Sequence, residues 1–141
     1  MDRSFAAAVK KWATDAQVRL DATTTLVLHR VADSIYDRSP FRTGLFRSNW
    51  QLGIDGPVLA TVKDTGRTEV NGLGEIPKKA GGHRYFFTNA LPYALRLEYG
   101  FNGPDSLGRV FAQPPMAILA HIPMQFPRIV REAAAQVRTS Q

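Results

Sequence analysis

Hydrophobic positions recur along the first part of the chain at helical spacing. Phe5, Val9, Trp12, Ala16 and Leu20 follow at intervals of four, three, four and four, and Leu28, Val31 and Ile35 continue the stripe. Spacing of this kind lines one face of a helix with apolar side chains, and it predicts a helix over residues 4–37. Ser4 is a candidate N-cap. The β-branched run Thr23-Thr24-Thr25 has low helix propensity and is the expected place for any bend. Ser39-Pro40 ends the helix, because proline disfavours helical dihedrals in the residue before it. At about 1.5 Å per residue the helix would be on the order of 50 Å long, whereas a domain of this mass is roughly 30 Å across. Part of the stripe must then overhang its own core. An overhanging apolar stripe needs a second chain, so the pattern predicts an oligomer.

Downstream the pattern becomes short and alternating. Residues 45–54, 57–63 and 84–88 read as strands, with Gly53 and Asp55-Gly56-Pro57 as a hairpin turn between the first two. Residues 64–84 form a long glycine-rich stretch, basic towards its end, and are expected to be a flexible loop or to enclose a short extra hairpin. Residues 91–100 predict a short helix, with Pro92 suited to its first turn and Gly100 to its C-terminal boundary. After a glycine-bearing loop, Pro123 and Pro127 argue against one continuous helix. The expectation is a short helix over 115–122 and a second starting near Pro123, with residues 138–141 frayed. The fold class is therefore α+β: a long N-terminal helix, and a small antiparallel or mixed sheet with a short and a C-terminal helix packed on it.

Composition adds limits. The 141 residues, with 44% hydrophobic and 21% charged, suit a single domain over 1–141. No cysteine is present, which excludes disulfides, thiolate metal sites and a cysteine nucleophile. Asp2 close behind Met1 does not fit a signal peptide, and no apolar run approaches the roughly 20 residues of a membrane span. The expected protein is soluble and made without export. Eighteen Lys and Arg against twelve Asp and Glu leave a net charge of +6. That surplus favours acidic partners, nucleic acid first among them. The cations are spread along the sequence, which fits a solvated surface, or a wall facing DNA, better than a reading head.

Candidate chemistry is sparse. His29, His83 and His121 lack a second ligand at metal spacing. The stretch "NGLGEIPKKAGGH" lacks both the spacing and the Lys-Ser/Thr ending of a phosphate loop. Asp33 and Asp37 stand beside Arg30 and Arg38 and read as surface charge pairs rather than an acid/base couple. No zinc-finger, basic-zipper or RNA-binding motif is present, and β-like sequence after the first helix argues against a helix-turn-helix. No cofactor is expected. Two aromatic sets remain, Phe41, Phe46 and Trp50, and Tyr85, Phe86, Phe87, Tyr93 and Tyr99. They are core material or interface anchors, and Trp12, Leu45, Trp50, Tyr93 and Tyr99 are the candidate anchors. Lys78, Lys79 and Arg84 form the densest basic group and are candidates for facing a partner. Glu98, in the last turn of its short helix, opposes the helix dipole and calls for a nearby cation. Arg42, Arg47 and Arg96 are the choices, with Glu98–Arg47 the expected pair.

Three segments in order, "SPFRTGLFRSNW", "FFTNALPYALRLEYG" and "AQPPMAIL", resemble the neck or tail-completion proteins of long-tailed bacteriophages. The matching positions are Ser39, Pro40, Thr43, Gly44, Leu45, Ser48 and Trp50, then Asn89, Pro92, Tyr93, Ala94, Glu98, Tyr99 and Gly100, and the likeness spans about residues 1–138. The stretch 64–84 is longer than in the shortest members, so the resemblance assigns it no role. The resemblance implies a non-enzymatic virion protein, a homo-oligomeric and six-fold ring at the head–tail junction. Its partners would be a head-completion or connector ring on one side and a tail terminator or tail-tube protein on the other. Viral DNA would pass through the lumen without sequence readout. The alternatives are a tail terminator or minor tail protein of the same particle, or, in a different class, a free non-specific DNA-binding protein. A nuclease or peptidoglycan hydrolase is the least supported reading.

Overall fold

The computed structural model describes residues 3–140. A single helix, α1 (Arg3–Arg38), runs through the threonine run without interruption. Thr24 and Thr25 donate their hydroxyls to the carbonyls of Leu20 and Asp21, one turn back, which keeps them compatible with the helix. Arg3 is already helical, so Ser4 lies inside the first turn instead of capping it. The helix stops at Arg38, before Ser39-Pro40, as the proline requires.

The predicted strand over 45–54 divides in two. Gly44 (φ 90°) turns the chain, and Leu45–Ser48 form one helical turn, α2, before strand β1 (Gln51–Ile54). Residues 57–63 are not a strand. Side chains take their backbone groups instead: Asn49 bonds both the amide and the carbonyl of Val62, Gln51 donates to the Ala60 carbonyl, and Thr88 to that of Val58. The chain does reverse at Gly53–Gly56, but the partner of β1 is β2 (Tyr85–Thr88), antiparallel with Leu52 opposite Phe87.

Residues 64–84 are not a free loop. Val70, Leu73 and Ala80 are buried, Leu73–Glu75 form a 3-10 turn, and Asn71 bridges to Gln51 beside β1. Helix α3 (Ala94–Tyr99) follows. Then comes an unpredicted hairpin, β3 (Phe101–Pro104) and β4 (Val110–Gln113), whose turn is closed by Asp105 accepting the amides of Leu107 and Arg109. Among the described residues, two two-stranded antiparallel sheets therefore stand in place of the one expected.

The C-terminal stretch is one helix, α4 (His121–Thr139). Pro123 falls in its first turn, where its missing N–H would have no partner anyway. Pro127 lies inside, and the bond it removes is the single one that would have reached Pro123. Thr139 is still helical, and the Ser140 amide bonds the Gln136 and Val137 carbonyls, so the described tail is not frayed. Ser34 bonds Gln125, and Arg30 bonds Glu132 and Gln136, so α4 runs back antiparallel along the C-terminal half of α1. Val27, Val31 and Ile35 of α1, Phe46, Trp50, Leu52, Val70 and Leu73, and Ile118, Ile129 and Ala133 share one core. The architecture is α+β, and it leaves half of α1 outside this core.

Candidate functional site

The N-terminal half of α1 projects past the body. Every described residue before Asp15 is exposed, and the first buried one is Asp21. From Arg3 to Thr14, all exposed, the projecting stretch measures about 18 Å at the helical rise. Phe5 (60% exposed) and Trp12 (67%) stand on it with Val9. Trp12 is thus exposed and no part of the core. Where α4 ends, beside Arg19 and Leu20, the stripe it covers farther along α1 continues bare.

Beside the root of the overhang lies an apolar groove of about 500 Å³ between α1, α4 and β2. Leu20, Val27, Tyr85, Phe87, Phe126 and Val130 are among its walls, and none of the residues lining it is charged.

The fold gathers cations that the sequence spreads out. Lys78 and Lys79 line one recess of about 850 Å³ together with Ala13, Thr14, Gln17 and Val18 of α1. Asp21 holds them there, because its Oδ1 accepts the Gly81 amide at 2.9 Å and the Gln17 side-chain amide at 3.2 Å. Arg131 and Arg138 of α4 stand with Arg19 around a second recess, and Lys10 and Lys11 are exposed farther out. Arg84 belongs to another place. Its amide and His83 Nδ1 both meet the Asp55 carboxylate at the turn leading to β2. The His83 contact, reinforced by the Arg84 amide, holds the Asp55 carboxyl below its ordinary range.

The stretch 39–50 is a structural knot. The Ser39 hydroxyl donates to the Ile35 carbonyl and accepts the Trp50 indole N–H, each at 2.7 Å. Thr43 accepts the Leu45 amide, and Ser48 the Arg67 amide. A Cβ on Gly44 would come within 2.0 Å of the Thr65 carbonyl oxygen. Trp50 and Phe46 are buried with their rings edge to face, whereas Leu45 is only half-buried. Asn89 donates to the Phe46 carbonyl, and Tyr93 lies against the Phe46 ring while remaining 38% exposed. Tyr99 is 75% exposed and belongs to no core cluster among the described residues.

The expected Glu98–Arg47 pair does not form. Glu98 instead accepts the amides of Leu119 and Ala120, which lead into α4. Backbone N–H groups at a helix start supply the positive potential that a cation was expected to give. Arg47 donates to the Ser39 carbonyl and lies over the rings of Tyr36 and Phe41, and Arg96 lies over Phe101. Sequence reasoning looked for a charge partner and missed a capping role. The signal for it was the start of α4 itself, which has no Ser, Thr, Asp or Asn at its cap position.

Among the described residues no group of three His, Asp or Glu is placed to hold a metal ion, and no helix is long and apolar enough to cross a membrane. Comparison with family models, with curated proteins and with solved structures gave no match.

Proposed function

We propose that this chain is a structural protein of a long-tailed bacteriophage particle. In this reading it forms a homo-oligomeric ring, six-fold in symmetry, at the head–tail junction, where it completes the tail or connects it to the capsid. What supports the reading most is that the three segments resembling neck and tail-completion proteins pack as one unit. Asn89 of the second bonds Phe46 of the first, and Glu98 of the second bonds the amides of Leu119, the last residue of the third, and of Ala120 just after it. Their polar residues are spent on backbone groups of the chain itself, as a structural role requires and a catalytic one would not. The bare stripe of α1 adds a surface for assembly, and cations around its root suit contact with phosphate backbones without base readout.

In this setting the ring meets a head-completion or connector ring on one side and a tail terminator or tail-tube protein on the other, with viral DNA in the lumen. A phage lacking the gene should accumulate filled heads and complete tails that remain separate in electron micrographs. Joined, infectious particles made without the protein would refute the reading.

The gathered cations, Lys78 and Lys79 with Arg19, Arg131 and Arg138 nearby, favour one second reading: a DNA-binding protein acting outside the particle. Nanomolar binding to duplex DNA at physiological salt, falling steeply as salt rises, would favour it over the ring.

A further inference from the structure

We propose that the recess between α1 and the end of α4 is a phosphate-binding site whose occupant is the backbone of duplex DNA. This rests on the ring reading above, in which DNA runs past the protein, and assigns the residues that meet it.

Arg19, Arg131 and Arg138 line this recess of about 620 Å³. The rest of its lining is alanine, leucine, valine and Thr23, with no carboxylate. Arg131 and Arg138 are seven residues apart on α4 and share a face, about 10 Å apart along the axis, while Arg19 comes from α1. None of the three has a hydrogen bond, ion pair or ring contact among the described residues. The carboxylates nearest in sequence are engaged elsewhere. Asp15, one turn before Arg19, holds Lys11 at 2.6 Å, and Glu132, the sole acid of α4, meets Arg30 at 3.2 Å. Three guanidinium ions around one recess repel one another, and an anion relieves that repulsion. The negative end of the α4 dipole accounts for Arg138. It does not account for Arg131, two turns inside, or for Arg19 in the middle of α1.

Arginine at all three positions favours phosphate, because its planar fork takes two oxygens at once. The concave shape selects which part of a duplex enters. Base edges lie at the floor of a groove and are read by elements that project into it, whereas the phosphate ridge of a strand stands out and fits a recess. Thr23 is the one uncharged polar side chain in the lining, so no set of donors and acceptors is present to discriminate bases. Duplex DNA carries a charge about every 1.7 Å of its axis. An extended acidic peptide offers at most one per roughly 3.3 Å, a poorer match to three cations in one recess. The net charge of +6 adds attraction to a polyanion from a distance.

The test is the anisotropy of a short labelled duplex titrated with the full chain over a range of salt. The triple variant Arg19→Gln/Arg131→Gln/Arg138→Gln should bind more weakly. Its plot of log affinity against log salt should be shallower by about 0.9 for each arginine that meets a phosphate, about 2.7 in all. Arg131→Gln alone, at an exposed position, should give about a third of that change, and duplexes of different sequence should lose affinity alike. Lys78→Gln/Lys79→Gln removes charge from the recess on another face of α1 and should change the slope by less than about 0.9. An unchanged slope in the folded arginine variants, or an equal change in the lysine variant, would overturn the proposal. Displacement of the duplex by polyglutamate at equal charge concentration would overturn it in favour of an acidic protein partner. Sedimentation keeps the two readings apart. Rings with no arginine-dependent slope leave the ring and remove the recess, whereas an arginine-dependent slope in a chain that never forms rings does the reverse.

Discussion

The Trp50 indole N–H donates to the Ser39 hydroxyl across 2.7 Å, and both residues are almost completely buried. This bond ties the first residue after α1 to the residue that begins the path into β1. The Ser39 hydroxyl also donates to Ile35, so one oxygen fixes the end of the helix and the position of the largest core side chain. Replacing Ser39 with Ala leaves the indole N–H buried without an acceptor. Leaving a buried donor unsatisfied costs about 1–3 kcal/mol. Ser39→Ala should lower the urea midpoint accordingly, with an unchanged slope. Ser39→Thr, which keeps the hydroxyl, should recover part of the loss.

Gly44 is a second fixed point of the same stretch. Its φ is +90°, and an added Cβ would lie 2.0 Å from the Thr65 carbonyl oxygen, a backbone atom that cannot rotate away. Gly44→Ala therefore combines dihedral strain with a clash and should prevent folding or lower stability by several kcal/mol. Gly56→Ala is the control, because a Cβ there meets nothing within 4 Å. Circular dichroism melts of the two variants check the contrast.

These knots also show what was readable in the residues and what was not. The length and stop of α1 followed from its apolar period and from Pro40, since local spacing and sterics decide both. The overhang followed from arithmetic on helix length. The path of 57–63 did not, because β-like composition there is satisfied by the side chains of Asn49, Gln51 and Thr88. Pairing of that kind depends on residues distant in sequence. The hairpin of β3 and β4 was hidden by its glycines and prolines, and its turn depends on one carboxylate, Asp105, that local propensity does not flag. The C-terminal helix begins at His121, close to its expected start near Pro123, and what failed was the separate short helix over 115–122, where the chain is irregular or turned up to Ala120. The gathering of Lys78 and Lys79 against α1 required the buried Asp21–Gly81 bond, which joins positions sixty residues apart.

Glu98 is expected to act as a cap carried by another helix. Its carboxylate serves the amides of Leu119 and Ala120, so Glu98→Ala should weaken the junction of α3 and α4 by about 1 kcal/mol. Glu98→Gln keeps an acceptor but loses the charge, and should fall between wild type and Glu98→Ala. Hydrogen exchange offers a local readout: faster exchange at 119 and 120, with the slow amides of α1 unchanged. Arg47→Ala should leave those two amides as they were, since Arg47 serves Ser39 instead.

Asp55 gives the chain an acid-sensitive contact. Its folded carboxyl titrates below its ordinary range because of His83 and the Arg84 amide. A lowered folded value means that the ionised form is favoured by folding. The contribution is present above the unfolded value of about 3.9 and is lost as pH falls through the folded one. Asp55→Asn should therefore lower the denaturation midpoint slightly near neutrality, and the gap to wild type should close below about pH 4. Asparagine tolerates the left-handed backbone at this position (φ 63°), so the comparison isolates the charge. A gap that stays constant down to about pH 3 would show that ionisation of Asp55 has no part in stability.

The overhang separates folding from assembly. Every described residue before Asp15 is exposed and none belongs to the core, so removing the chain up to that point deletes no core packing. The truncated protein should keep its melting temperature to within about 2–4 °C, the size of a sub-kilocalorie change in a domain of this length. A free helix end also contributes little to its own stability without a packed face. In the ring reading the same truncation removes Phe5, Val9 and Trp12, and the protein should sediment as a monomer. Trp12→Ala should move in the same direction, with a larger effect on association than on melting. A truncated form that melts far below wild type would place the overhang inside the folding unit instead, against the exposure seen along its whole length.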